Sequence, residues 1–112
     1  MTPTRLTVHV SASSDSALDR VKGWVAAVGG LIVDARWFGN QMLTVTVELT
    51  VDELWALVDR VGLGRVTDAT LQDARGQLGG LAEDADVVCR LAVVLVHDEP
   101  DRARVVPAVP GG

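Results

Sequence analysis

The chain predicts an α+β fold, a sheet covered on one face by two helices in the order βαββαβ, with an additional C-terminal strand. Three observations carry this expectation. Stretches of alternating apolar and polar residues take turns with stretches whose apolar residues recur every three or four positions. Glycine pairs and a T-x-x-E box mark the junctions between them. The length of 112 residues suits one hydrophobic core.

In "TRLTVHVS", Leu6, Val8 and Val10 alternate with Arg5, Thr7, His9 and Ser11, the signature of a strand with one buried face. The serine-rich "SASSDS" follows, and Ser14 or Asp15 offers an acceptor for the free N–H groups that open a helix. Leu18, Val21, Val25 and Val28 then line one helical face, and Gly29 with Gly30 ends the helix. Two strands, "LIVDARW" and "MLTVTVEL", are joined by "FGNQ". A two-residue loop would put Arg36 and Asp34 on the apolar face, so an odd loop of Phe38, Gly39 and Asn40, with a bulge, is expected. That loop pairs Ala35 with Leu43, Val33 with Val45 and Leu31 with Val47.

Thr50 and Glu53 form a capping box, which starts a second helix whose apolar face is Leu54, Leu57, Val58 and Val61. "RVTDATLQ" reads as a fourth strand of edge character, with Ala69 and Leu71 turned to the core, and "GQLGGLAEDAD" as a flexible connection. Right-handed crossovers fold this order into an antiparallel sheet with both helices on one face, the ferredoxin-like sandwich. Its other face carries Thr7, His9, Asp34, Arg36, Thr44, Thr46 and Glu48.

Val87 to Val96 is β-branched and apolar on both faces, and favours a further strand. Seven of its residues are valine or leucine, each worth about 1.5–3 kcal/mol if buried, so both faces call for cover. A homodimer in which this strand extends or joins the sheets of two chains is therefore expected, the alternative being a hairpin with the fourth strand of the same chain, its second face covered by the tail. The organisation is one domain over 1–97, including the strand at 87–97, with an extended or disordered proline-containing tail at 98–112.

The net charge of −5, without a basic stripe, argues against nucleic acid as a partner. No signal-peptide pattern or run of about 20 apolar residues is present, so no membrane partner and a soluble, cytoplasmic protein are expected. Nine arginines against one lysine point to a GC-rich bacterial source. Cys89 lies in the most apolar run, where thiols are buried and inert. His97 and Glu99 give two ligands without a third, and His9, Ser11 and Asp15 lack a nucleophile elbow, so neither a metal, a cofactor nor catalysis is expected. Trp24, Trp37 and Trp55 are expected to pack on the core. The richest candidate is the loop at Ser13, Ser14, Asp15 and Ser16, where amide N–H groups and the positive end of a helix dipole suit a carboxylate or phosphate. Capping of the helix explains the same serines more plainly.

The element order, the loop after the first strand and the joint "VGGLIV" resemble the ACT domain family over about Thr4 to Gln72. "LTVHVSASSDSALDRVKGWVAAVGGLIVDARW", followed by "MLTVTVELT", is similar in particular to the small regulatory subunits of acetolactate synthase. The resemblance implies a regulatory module that binds a small molecule, such as an amino acid, at a homodimer interface and acts on a partner enzyme. Gly30, Leu31 and Ile32 stand where that family places its second ligand-binding segment, opposite Ser13 to Ser16 of a neighbouring chain. A dimerisation scaffold without a ligand is the alternative.

Overall fold

A computed structural model describes residues 3–62 and 65–97. Four strands and three helices follow one another as β1 (Thr4–Ser13), α1 (Ala17–Val28), β2 (Leu31–Phe38), β3 (Met42–Thr50), α2 (Val51–Val61), α3 (Asp68–Leu78) and β4 (Asp86–Val96). The architecture is α+β, one four-stranded mixed sheet with helices, compatible with the ferredoxin-like sandwich. The strands lie in the order β1-β4-β3-β2, with β4 parallel to β1 and antiparallel to β3.

Pleating sorts the sheet into rows of neighbours that share a face. Leu6, Cys89, Val47 and Ile32 make one row, Val8, Leu91, Val45 and Ala35 the next, and Val10, Val93, Leu43 and Trp37 a third. The helices cover this face, where Val21, Leu54, Leu57, Leu71 and Leu78 join the strands in one hydrophobic cluster. The opposite face carries Thr7, Arg90, Thr46 and Asp34 in one row and His9, Ala92, Thr44 and Arg36 in another. The polar face read from alternation is thus the open face of the sheet.

The β2–β3 hairpin keeps the expected odd loop, one residue later in the chain. Phe38 pairs with Met42 around Gly39, Asn40 and Gln41, and Gly39 takes the positive φ of 61° that favours glycine. Ala35 consequently faces Val45 instead of Leu43. The pairing shifts between Ile32 and Asp34, so the bulge falls at Val33 and Ile32 faces Val47. The two-residue displacement preserves parity from Asp34 onward, but the bulge reverses it before Val33: Leu31, expected opposite Val47, faces Glu48, and Leu31 and Val33 stand exposed instead of in the core.

The stretch expected as an edge strand, 65–72, is the main correction. Only Val66 bridges to β1, opposite Val10, and the chain then turns into α3. The Thr67 hydroxyl accepts from the Thr70 N–H at 3.2 Å and caps this helix. Leu71, Ala74 and Leu78 are its buried residues at spacings of three and four, with Thr70 buried beside β1, while Ala69 is exposed. Part of the expected connection is therefore helical.

The added helix changes the direction of everything after it. One helix between neighbouring strands returns the chain parallel, whereas α2 and α3 together bring β4 back antiparallel to β3. β4 then lies between β1 and β3, with both edges hydrogen-bonded within its own chain. The expected homodimer through the C-terminal strand has no free edge there to use. Its core face is closed by helices, Val87, Cys89, Leu91 and Val93 being fully buried. Its open face keeps Val94 and Val96 at 45% and 46% exposure. The tail expected at 98–112 lies outside the described residues.

Candidate functional site

The segment Ser13–Ser16 sits where β1 and β4 end together. The Ser14 N–H donates to the Val96 carbonyl at 2.8 Å, and the Asp15 N–H donates to Ser13 Oγ at 3.3 Å. Ser16 is the residue at the N-cap of α1, in the left-handed conformation (φ 56°), and its side chain makes no capping hydrogen bond. The plainer explanation of these serines as side-chain caps is thus not what the helix start uses. Asp15 and Asp19 also flank that helix end. Their negative charge complements the dipole and competes with any anion for it.

Gly30, Leu31 and Ile32 lie at the other end of the sheet. α1 has 12 residues, and at 1.5 Å per residue it carries the chain roughly 18 Å from Ser16 to Gly29. Within one chain the two expected halves of the binding site do not meet. Gly30 has a structural task, since a Cβ on it would stand 3.1 Å from both Val25 Cγ1 and Val47 Cγ1. Absence of a side chain lets the end of α1 approach β3. Leu31, in contrast, is 61% exposed.

Leu31 borders a groove of about 350 Å³ across the end of the sheet, with Glu48, Glu53, Asp86, Val87 and Val88 as further walls. Neighbouring strand ends supply these residues, since Leu31 pairs with Glu48 and Glu48 with Val88. Three acidic side chains therefore stand around an apolar floor. Glu53 is anchored by the capping box: its Oε1 accepts from the Thr50 N–H at 2.8 Å, while Thr50 Oγ1 accepts from the Glu53 N–H at 3.2 Å. Such a groove suits a small molecule that has a positively charged group and an apolar body. Only Leu31 of this set was legible as a site residue. The others converge because β4 lies beside β3, which the sequence pattern does not encode.

The remaining candidates are occupied otherwise. His97 Nε2 lies 2.8 Å from the Asn40 carbonyl oxygen and ties the end of β4 to the hairpin loop, and no metal-binding cluster occurs among the described residues. Burial pushes the Cys89 thiol up to about 12, against a partial opposing effect of a hydrogen bond from the Val8 backbone, so thiolate chemistry at neutral pH is not available to it. Trp24 and Trp55 pack on the core as expected, whereas Trp37 is 52% exposed. No helix among the described residues is long and apolar enough to cross a membrane. No protein-family model, curated protein or solved structure matches the chain.

Proposed function

We propose that the chain is a regulatory, ligand-sensing module that holds a small ammonium-bearing molecule, of amino-acid size, where two copies meet. The observation that carries this is the groove at the start of β2, where Glu48, Glu53 and Asp86 surround apolar walls and Leu31 reaches toward the edge of the sheet. Its volume is near the lower end of small-molecule sites, about 300–1,000 Å³. The acidic side chains favour an ammonium group, and Leu31, Val87 and Val88 favour an apolar side chain. Regulation then follows from linkage: a ligand that contacts both copies favours the paired state, and pairing raises affinity for the ligand by the same factor. The partner enzyme acted upon would read the paired state.

A thermal-shift series with the common amino acids and nucleotides tests this. Ammonium-bearing ligands should raise the melting temperature of the chain, because a ligand that binds only the folded form stabilises it. Asp86→Asn should remove that shift without unfolding the protein, since Asp86 is exposed at the strand end. A flat response to every compound would remove the sensing function. The second reading, a dimerisation scaffold without a ligand, is favoured by the exposed apolar residues of β2 and would then stand.

A further inference from the structure

We infer that the open face of the sheet holds a second, separate ligand site, a hollow that takes the phosphate group of a small molecule between Arg5 and Arg90. Strand pairing puts Arg90 of β4 between Thr7 of β1 and Thr46 of β3, and sets Arg5 beside Val88 one row further along. These residues, with Leu6, border a hollow of about 260 Å³. From the strand spacing and the rise per residue, Arg5 and Arg90 are diagonal neighbours about 8 Å apart, so two long side chains can converge on one group. The hollow shares only Val88 with the acidic groove and does not rest on the function proposed for that groove.

Charge and donor chemistry select the occupant. Two guanidinium groups this close repel one another, and an anion between them relieves the repulsion. Among the described residues the pair of Asp34 with Arg36 is the one salt bridge, so neither Arg5 nor Arg90 has a carboxylate partner there. The carboxylates diagonal to them, Asp86 to Arg5 and Glu48 to Arg90, border the acidic groove and not the hollow. On its other side Arg90 has His9 as diagonal neighbour on β1. The hydroxyls of Thr7 and Thr46 flank Arg90 and make no hydrogen bond to the protein among the described residues. A carboxylate brings one charge and two oxygens, which a single arginine can satisfy. A phosphate monoester brings a charge of about −1.5 to −2 and three acceptor oxygens, which match two guanidinium groups with two hydroxyls. The volume, below the roughly 300–1,000 Å³ of drug-sized sites, suits a small phosphorylated molecule.

Titration of the full chain with inorganic phosphate at constant ionic strength, followed through the backbone amide NMR signals, tests the site. Saturable shifts are expected at Arg5, Thr7, Thr46, Val88 and Arg90. Arg5→Gln and Arg90→Gln should each weaken binding by at least about tenfold. Arg90→Lys, which keeps the charge without the planar fork, should recover part of that loss. Circular dichroism should show all three variants folded, because both side chains are exposed. Acetate should bind at least about tenfold more weakly than phosphate, for want of the second charge and the third oxygen. Asp86→Asn should leave phosphate binding undiminished, so that failure of the acidic groove and failure of this site are read separately. Shifts that stay linear with concentration, or that gather at Ser13–Ser16 instead, would overturn the site. Acetate binding as tight as that of phosphate would overturn the ligand class, and loss of phosphate binding in Asp86→Asn would overturn the separation from the groove.

Discussion

Ser16 is the residue at which the chain departs most from local preference. It is the only non-glycine residue with positive φ among the described residues, at the point where β1 hands over to α1. A Cβ in that conformation costs roughly 1–2 kcal/mol. Glycine relieves this and loses part of the gain to the greater freedom of the unfolded chain. Ser16→Gly should therefore raise stability by about 0.5–1 kcal/mol, read as a higher urea midpoint at unchanged slope. A lower midpoint would mean that the serine hydroxyl makes an interaction that outweighs the strain. Composition and spacing alone mark the serines of this loop as anion donors or caps. The dihedral that disables the Ser16 cap, and the distance to Leu31, exist only once the chain is folded.

At the scale of elements, the two caps show what local sequence can and cannot convey. Thr50 and Glu53 were legible as a capping box because both partners lie within four residues, and the helix begins where they place it. The rest of that helix start is satisfied from far away: the Val51 N–H donates to the Ala85 carbonyl and the Asp52 N–H to the Glu83 carbonyl, both at 3.0 Å. The loop before β4 thus docks on α2. α3 was legible in principle from Leu71, Ala74 and Leu78, but Val66, Thr67 and Thr70 favour a strand and drew the boundary too early. Thr67 in fact serves as its cap. Thr67→Ala should cost about 1 kcal/mol and, because α3 shields the edge of β1, should speed amide exchange across α3 and at His9 before the rest of the sheet. Uniform exchange throughout the chain would show that α3 is not a separate unit of stability.

At the scale of the whole molecule, the placement of β4 decides both stability and which apolar surface is left exposed. Its core face contributes Val87, Cys89, Leu91, Val93 and Leu95 to the centre of the cluster, and its two edges hold β1 to β3. A chain that ends at Asp84 loses all of these at once and leaves two buried strands with unpaired backbone. It should fail to fold, giving no cooperative thermal transition, instead of folding as a monomer freed from its dimer partner. A cooperative transition in that truncated chain would show that β4 is an accessory to the domain. With β4 committed to the interior, the apolar surface left over lies on β2 and on one end of the open face, at Val94 and Val96. The exposed apolar surface expected on the C-terminal strand therefore stands mostly on the edge strand β2.

By itself the sequence determined which face of β1 and β3 is buried, where α2 begins, where α1 and α2 end, the odd length of the hairpin loop and the burial of Cys89. These follow from contacts between near neighbours and from the pleat, which put a period directly into the chain. Only the tertiary structure decided the sheet order, the central place of β4, the gathering of Glu48, Glu53 and Asp86 into one groove, and the exposure of β2. The physical reason is that strands pair through backbone groups common to every residue. Alternation records that a face is covered, while the direction and neighbours of a strand depend on how many helices intervene and where they pack.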